Sequence, residues 1–243
     1  MFVNEKKLNI MKRLLVLLLT ATSLTVSAQH NNKKHKGQLV TRGIGISFQS
    51  FDGLNSRIAN LPQYKTLRDY MGTISLGSMN VYKNFVSGIN LTVGSSMSGD
   101  RDKKSSALRY LGGDIFFGYD VIPGEKFMLY PMAGIGAEGY HARFYKDNSS
   151  VNFNDVLVSG TVQNNIRPVV FKNSFFTYNV GLGFNVKTNK DGGSLGIKAG
   201  YTGSFKDRSW KSSNNQVLGN APSDGLSRFN VSLVINSMPR FMH

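Results

Sequence analysis

No cysteine occurs among the 243 residues, which removes disulfides, thiolate metal centres and a lipid-modified cysteine behind an export signal. Acids are also scarce: 14 Asp and Glu stand against 29 Lys and Arg, for a net charge of +15. Such an excess needs an anionic counterpart or a solvated location. No apolar run reaches the roughly 20 residues that a helix needs to cross a bilayer; the run from Leu14 to Leu19, with a weaker continuation to Val26, stops short. His30, His35 and His243 lie in terminal segments, so His141 is the one histidine in the body of the chain. The sequence offers no metal-ligand cluster, phosphate loop or aromatic-basic platform for nucleic acid, so no cofactor, metal or nucleic-acid partner is expected.

What is present is alternation. From Phe175 to Phe205, the residues Phe176, Tyr178, Val180, Leu182, Phe184 and Val186 are separated by Thr177, Asn179, Gly181, Gly183 and Asn185. After a polar turn at 188–193, Leu195, Ile197, Ala199 and Tyr201 alternate with Gly196, Lys198 and Gly200. Period-two runs joined by a tight turn predict a hairpin of two-faced strands. The 26 glycines fall within such runs, where a helix would rarely tolerate them. A chain 40% hydrophobic is too apolar for a disordered tail, and a mean hydropathy of −0.21 is too low for a bundle of membrane helices.

Lys12 and Arg13, the apolar run and Val26-Ser27-Ala28 form the three parts of a secretory signal, with cleavage expected after Ala28 and a start at either Met1 or Met11. A membrane-anchor helix is the competing reading of this run. Residues 1–28 carry a net +3, so +12 stays with the mature chain. The expected organisation is a signal peptide at 1–28, a flexible basic segment at 29–37, a barrel at 38–236 and a tail at 237–243. Further strands begin near Val40, Thr73, Ile89, Leu111, Phe127 and Phe229. The second shifts phase between Leu76 and Met79, as a bulge would cause. Helical turns are expected on either side of Pro62, and a small hairpin around Val156–Val162 within the long connection 142–172. Long connections at odd positions and short ones at even positions predict an all-β, eight-stranded antiparallel up-and-down transmembrane β-barrel with long external loops and short periplasmic turns.

With these strands, the loop asymmetry and the export signal, the chain from Gln38 onward resembles the small OmpA/OmpX-like outer-membrane β-barrels of Gram-negative bacteria. The resemblance implies localisation in the outer membrane, contact with its lipid and with the outer-membrane assembly machinery, and no single activity. Such barrels often finish on an aromatic residue; here Phe241 takes that place, or residues after Ile235 form a short periplasmic extension. Phe176, Tyr178, Val180, Leu182, Phe184, Leu195, Ile197 and Tyr201 are expected to face lipid, with Phe48, Tyr119, Phe127, Tyr201, Phe205 and Phe229 in aromatic girdles. A soluble lipocalin-like barrel would instead turn these faces inward around a ligand.

The opposite face collects Asp114, Asp120, Glu138, Lys187, Lys198 and Arg228. Three acids and three bases in a lumen imply paired charges. They are expected in two clusters, Asp114, Glu138 and Arg228 toward the loops and Asp120, Lys187 and Lys198 toward the turns. Gly134 to Gly139 spells G-x-G-x-x-G, but a strand pattern surrounds it where a nucleotide fold needs a helix. The remaining basic excess is expected outside the strands: Lys33, Lys34 and Lys36; Arg101, Lys103, Lys104 and Arg109; Arg143, Lys146, Arg167 and Lys172; and Lys206, Arg208 and Lys211. Lipopolysaccharide phosphates or acidic surface glycans are the partners that suit them. The expected function is a non-enzymatic structural or surface-interaction barrel, with a narrow porin-like channel for small polar solutes and a lipid A-modifying enzyme using His141 as alternatives.

Overall fold

The computed structural model describes residues 38–100, 103–122, 124, 126–188 and 193–238. The signal, the basic segment up to residue 37 and Phe241 lie outside the described residues. Eight strands form the barrel: β1 Leu39–Gln49, β2 Tyr70–Tyr82, β3 Phe85–Gly99, β4 Ser105–Tyr119, β5 Phe127–Tyr145, β6 Val169–Lys187, β7 Ser194–Ser204 and β8 Ser227–Ser237. Each pairs antiparallel with its neighbour in sequence, and β8 returns to β1 through Val40↔Ser237 to Gln49↔Arg228. Closure leaves no sheet edge among these strands, which satisfies backbone polar groups without water.

Outward and inward residues alternate as the period demands. On β6, Phe176, Val180, Leu182 and Phe184 are exposed while Thr177 and Asn185 are buried. Two glycines show why small residues occupy the inner face. Tyr130 lies across from Gly183 and Tyr110 across from Gly94, and a Cβ at either glycine would enter the opposing ring.

Several local expectations are corrected. The β2 register with both neighbours runs without interruption, so no bulge exists; Met79 is fully buried because it points into the lumen, whereas Ile74 and Leu76 point out. The charged loop expected over Ser98–Ser106 is shorter, since β3 and β4 stay paired up to Gly99↔Ser105 and only 100–104 lie between them, so the third connection does not share the length expected of the odd-numbered ones. One helix, α1 Asp52–Ala59, precedes Pro62 and none follows it before β2. The segment 146–168 holds helices α2 Phe153–Val158 and α3 Gly160–Ile166 in place of a hairpin. Side-chain caps decide this: Asn152 accepts from Asn154 N at 2.9 Å and Ser159 from Val162 N at 3.3 Å, while no partner strand is within reach to reward the valines.

Apolar clusters close both ends of the lumen. At the loop end, Phe51, Leu54 and Ile58 from the α1 segment pack with Tyr140, Phe175 and Trp210. At the turn end Leu39, Met79, Val86, Phe116, Met128 and Tyr130 form the second cluster. The α1 N-terminus has no side-chain cap of its own; Asp224, from 205–226, accepts Gly53 N at 2.7 Å, Leu54 N at 3.1 Å and Trp210 Nε1 at 2.6 Å. One carboxylate therefore ties two connections into the mouth. Asp224→Ala leaves three donors without their acceptor and should cost about 2 kcal/mol, read as faster proteolysis of 50–69 in a barrel that keeps its heat-shifted gel mobility.

Candidate functional site

Between the two apolar clusters lies a polar chamber of about 90 Å³, lined by Thr73, Asn90, Asp114, Glu138, Lys198 and Arg228 among others. Its roof is an ion pair. Arg228 on β8 donates through Nη2 to Glu138 Oε1 at 2.6 Å and through Nη1 to Oε2 at 2.8 Å, and both side chains are more than nine-tenths buried. Tyr140 completes the triad, donating to Glu138 Oε2 at 2.7 Å and accepting from Arg228 at 3.2 Å. Tyr110 stacks on Tyr140 at 5.3 Å and lies under the guanidinium at 4.5 Å. A buried bidentate pair of this kind is held in one geometry, because two parallel hydrogen bonds fix the guanidinium plane against the carboxylate.

The rest of the interior charge is arranged differently from the two expected clusters. Asp114 accepts from Asn90 Nδ2 at 3.3 Å. Lys198 is buried with its Nζ 4.4 Å from the Phe116 ring and without a hydrogen-bond partner among the described residues. Asp120 and Lys187 do not join it. Asp120 accepts from Ile122 N at 3.3 Å and Leu129 N at 3.1 Å, so it shapes the turn, and Lys187 donates to the Gly124 carbonyl. A turn offers free backbone groups, and these compete successfully for charges that lie at a strand end. Glu138–Arg228 is the ion pair among the described residues. Tyr110, Tyr140 and Trp210 are not among the sequence candidates; inward phase on β4 and β5 could have signalled the two tyrosines, whereas Trp210, in the connection 205–226, carries no strand phase.

On the outer face, Phe176, Tyr178, Val180, Leu182, Phe184, Leu195 and Ile197 are exposed and Tyr201 is half-buried. They continue into Ile44, Ile74, Leu91, Ile115, Ile135 and Val231 around the barrel. Exposed aromatics border this belt: Phe48, Tyr70, Phe205 and Phe229 toward the loops, and Phe85, Tyr119 and Phe127 toward the turns. The Tyr201–Phe229 rings lie 6.1 Å apart and the Phe85–Tyr119 rings 5.4 Å apart. An apolar belt outside and polar groups inside exclude the lipocalin-like arrangement. The chain is a small eight-stranded transmembrane barrel of the outer-membrane type.

Arg101 lies outside the described residues. Lys103, Lys104, Lys206 and Arg208 are exposed at the loop end, and Lys211 is half-buried; Lys104 Nζ donates to Pro62 O at 2.8 Å. His141 is exposed on the outer face of β5. Gly134, Gly136 and Gly139 all sit within β5. Among the described residues no group of three or more His, Asp or Glu side chains could hold a metal.

No family model matches the chain, and no curated protein matches it. Solved structures similar to it include Ail, the attachment invasion locus protein of Yersinia pestis, crystallised with the heparin analogue sucrose octasulfate. The likeness has a TM-score of 0.47 and 11% identity over 82% of this chain and 96% of that one. Neisserial surface protein A gives 0.46 and 9% over 84% and 99%. A major outer membrane protein from Thermus thermophilus gives 0.46 and 10% over 82% and 99%.

Proposed function

We propose that this barrel is a non-enzymatic component of the outer membrane with a structural or surface-interaction role, closed to solutes and presenting its basic end to the cell exterior. The supporting observation is the double closure of the lumen. A solute entering from the loops meets Phe51, Trp210 and Tyr140, then the Glu138–Arg228 clamp, and finally the cluster around Met79 and Tyr130. Opening such a path would require breaking a buried ion pair and parting two packed clusters, each a cost of several kcal/mol. An eight-stranded barrel is filled by its own side chains, and rigidity of this kind suits an anchor for exposed elements. Export through the signal at 1–28 belongs to the same reading, as do lipid contact by Leu182, Ile197 and their neighbours and polyanion contact by Lys103, Lys104, Lys206 and Arg208.

Purified protein inserted in planar bilayers is expected to be electrically silent. Reproducible single-channel steps from the wild type would overturn the closed reading in favour of a narrow solute channel. Mass spectra of lipid A from cells with and without the protein are expected to coincide; a new deacylated or acylated species would instead identify an enzyme.

A further inference from the structure

The strands differ in height. A transmembrane strand needs about 9–11 residues, which β1, β7 and β8 match at 11 each, whereas β5 and β6 have 19. The excess rises on one side, above the apolar belt, as a wall made by β3 to β6 and extended by Lys211–Ser212 pairing on β6. Register places one row across this wall: Ser95↔Arg109, Arg109↔His141, His141↔Lys172 and Lys172↔Lys211. Directly opposed residues project to the same face with Cβ atoms about 5 Å apart, and like charges there are unfavourable. Arg143 follows His141 on the same face of β5, with its Nε buried and without a hydrogen-bond partner among the described residues. No acid among the described residues forms an ion pair with any of these cations. Arg109, Arg143, Lys172 and Lys211 thus form an unneutralised cationic patch around His141.

Directly below one end of it, the outer surface is hollowed. Gly72 faces outward with nothing within 4 Å of where a Cβ would stand, and the resulting trough of about 1070 Å³ is lined by Ile46, Phe48, Ile74, Val93 and Leu233, with Arg109 at its rim. A soluble polyanion would use the cations and leave the trough empty. A molecule with phosphates above and hydrocarbon below would use both.

We propose that this wall docks a phosphorylated glycolipid of the outer leaflet, its phosphates along Arg109, Arg143 and Lys172 and an acyl chain in the Gly72 trough. This rests on the outer-membrane reading above and moves the lipopolysaccharide contact from the loop tips to the barrel wall. Binding of detergent-solubilised protein to lipopolysaccharide phosphorylated on lipid A, and to the enzymatically dephosphorylated form, tests it. Variants are compared after heat-shifted gel mobility has shown them folded.

The triple variant R109Q, R143Q and K172Q should bind on the order of a hundredfold more weakly, and R109K, R143K and K172R should bind like wild type. Gly72→Phe, which fills the trough and leaves every cation, should also weaken binding. Neutralising Lys103, Lys104, Lys206 and Arg208 together should weaken it far less than the triple variant does. Undiminished binding by the glutamine triple variant, or equal binding of dephosphorylated lipid, would overturn the proposal. So would binding of a heparin oligosaccharide that matches lipopolysaccharide and ignores Gly72→Phe, since that identifies a soluble polyanion as the occupant. Recovery of the wild type outside the outer-membrane fraction would remove the premise and is read separately from every binding result.

Discussion

Glu138→Ala should destabilise the barrel by about 3–5 kcal/mol, because it leaves the buried Arg228 guanidinium without its counter-charge. Arg228 keeps one side-chain acceptor there, the Tyr140 hydroxyl at 3.2 Å, and its Nε has no hydrogen-bond partner among the described residues even with Glu138 present. The loss is expected to appear as a lower urea midpoint in detergent, with an unchanged slope if the folded barrel stays intact. The double variant Glu138→Leu with Arg228→Met removes both charges and leaves apolar groups of similar length. It should recover most of that loss, since a buried pair replaced together costs little. Equal destabilisation by the single and the double variant would show that the pair itself supplies the energy.

Leu182→Arg should cost about 2–4 kcal/mol where the outer face crosses the hydrocarbon midplane, and Asn179→Ser far less. Leu182 is 55% exposed on the outer face, and exposure of a leucine is favourable only if the solvent is lipid. Asn179 lines the chamber, where serine retains a hydroxyl for the polar neighbours. Folding into vesicles followed by heat-modifiable gel mobility distinguishes the two. Comparable assembly of both variants would reverse the orientation of the barrel wall.

Strand existence and facing were legible because a two-residue period survives any tertiary context. Every charged residue assigned to the inner phase of a strand interior, Asp114, Glu138, Lys198 and Arg228, does line the chamber. Partnership was not legible. Asp120 and Lys187 carry the same phase but sit where backbone groups are free, and phase alone does not separate a strand interior from its end. Met79 and Val81 suggested a bulge because an apolar residue in the inner phase looks like a register error; it marks instead the depth at which a polar lumen gives way to a plug. Asp224 could not have been foreseen as the cap of α1, since its partners lie 171 and 170 residues away. Short helices in 146–168 were hidden behind valines, whose β preference has force only beside another strand.

The β1–β8 seam has a consequence for timing. Thr41 donates to Asn236 at 2.8 Å across 195 residues of chain, and Asn236 donates onward to Ser194 at 2.8 Å. Nearly the whole barrel must therefore have been delivered before its first strand acquires its second neighbour. Until then β1 presents an open edge, and non-local closure of this kind is intrinsically slow. Removing β8 should thus yield an open-edged chain that aggregates, in place of a smaller barrel.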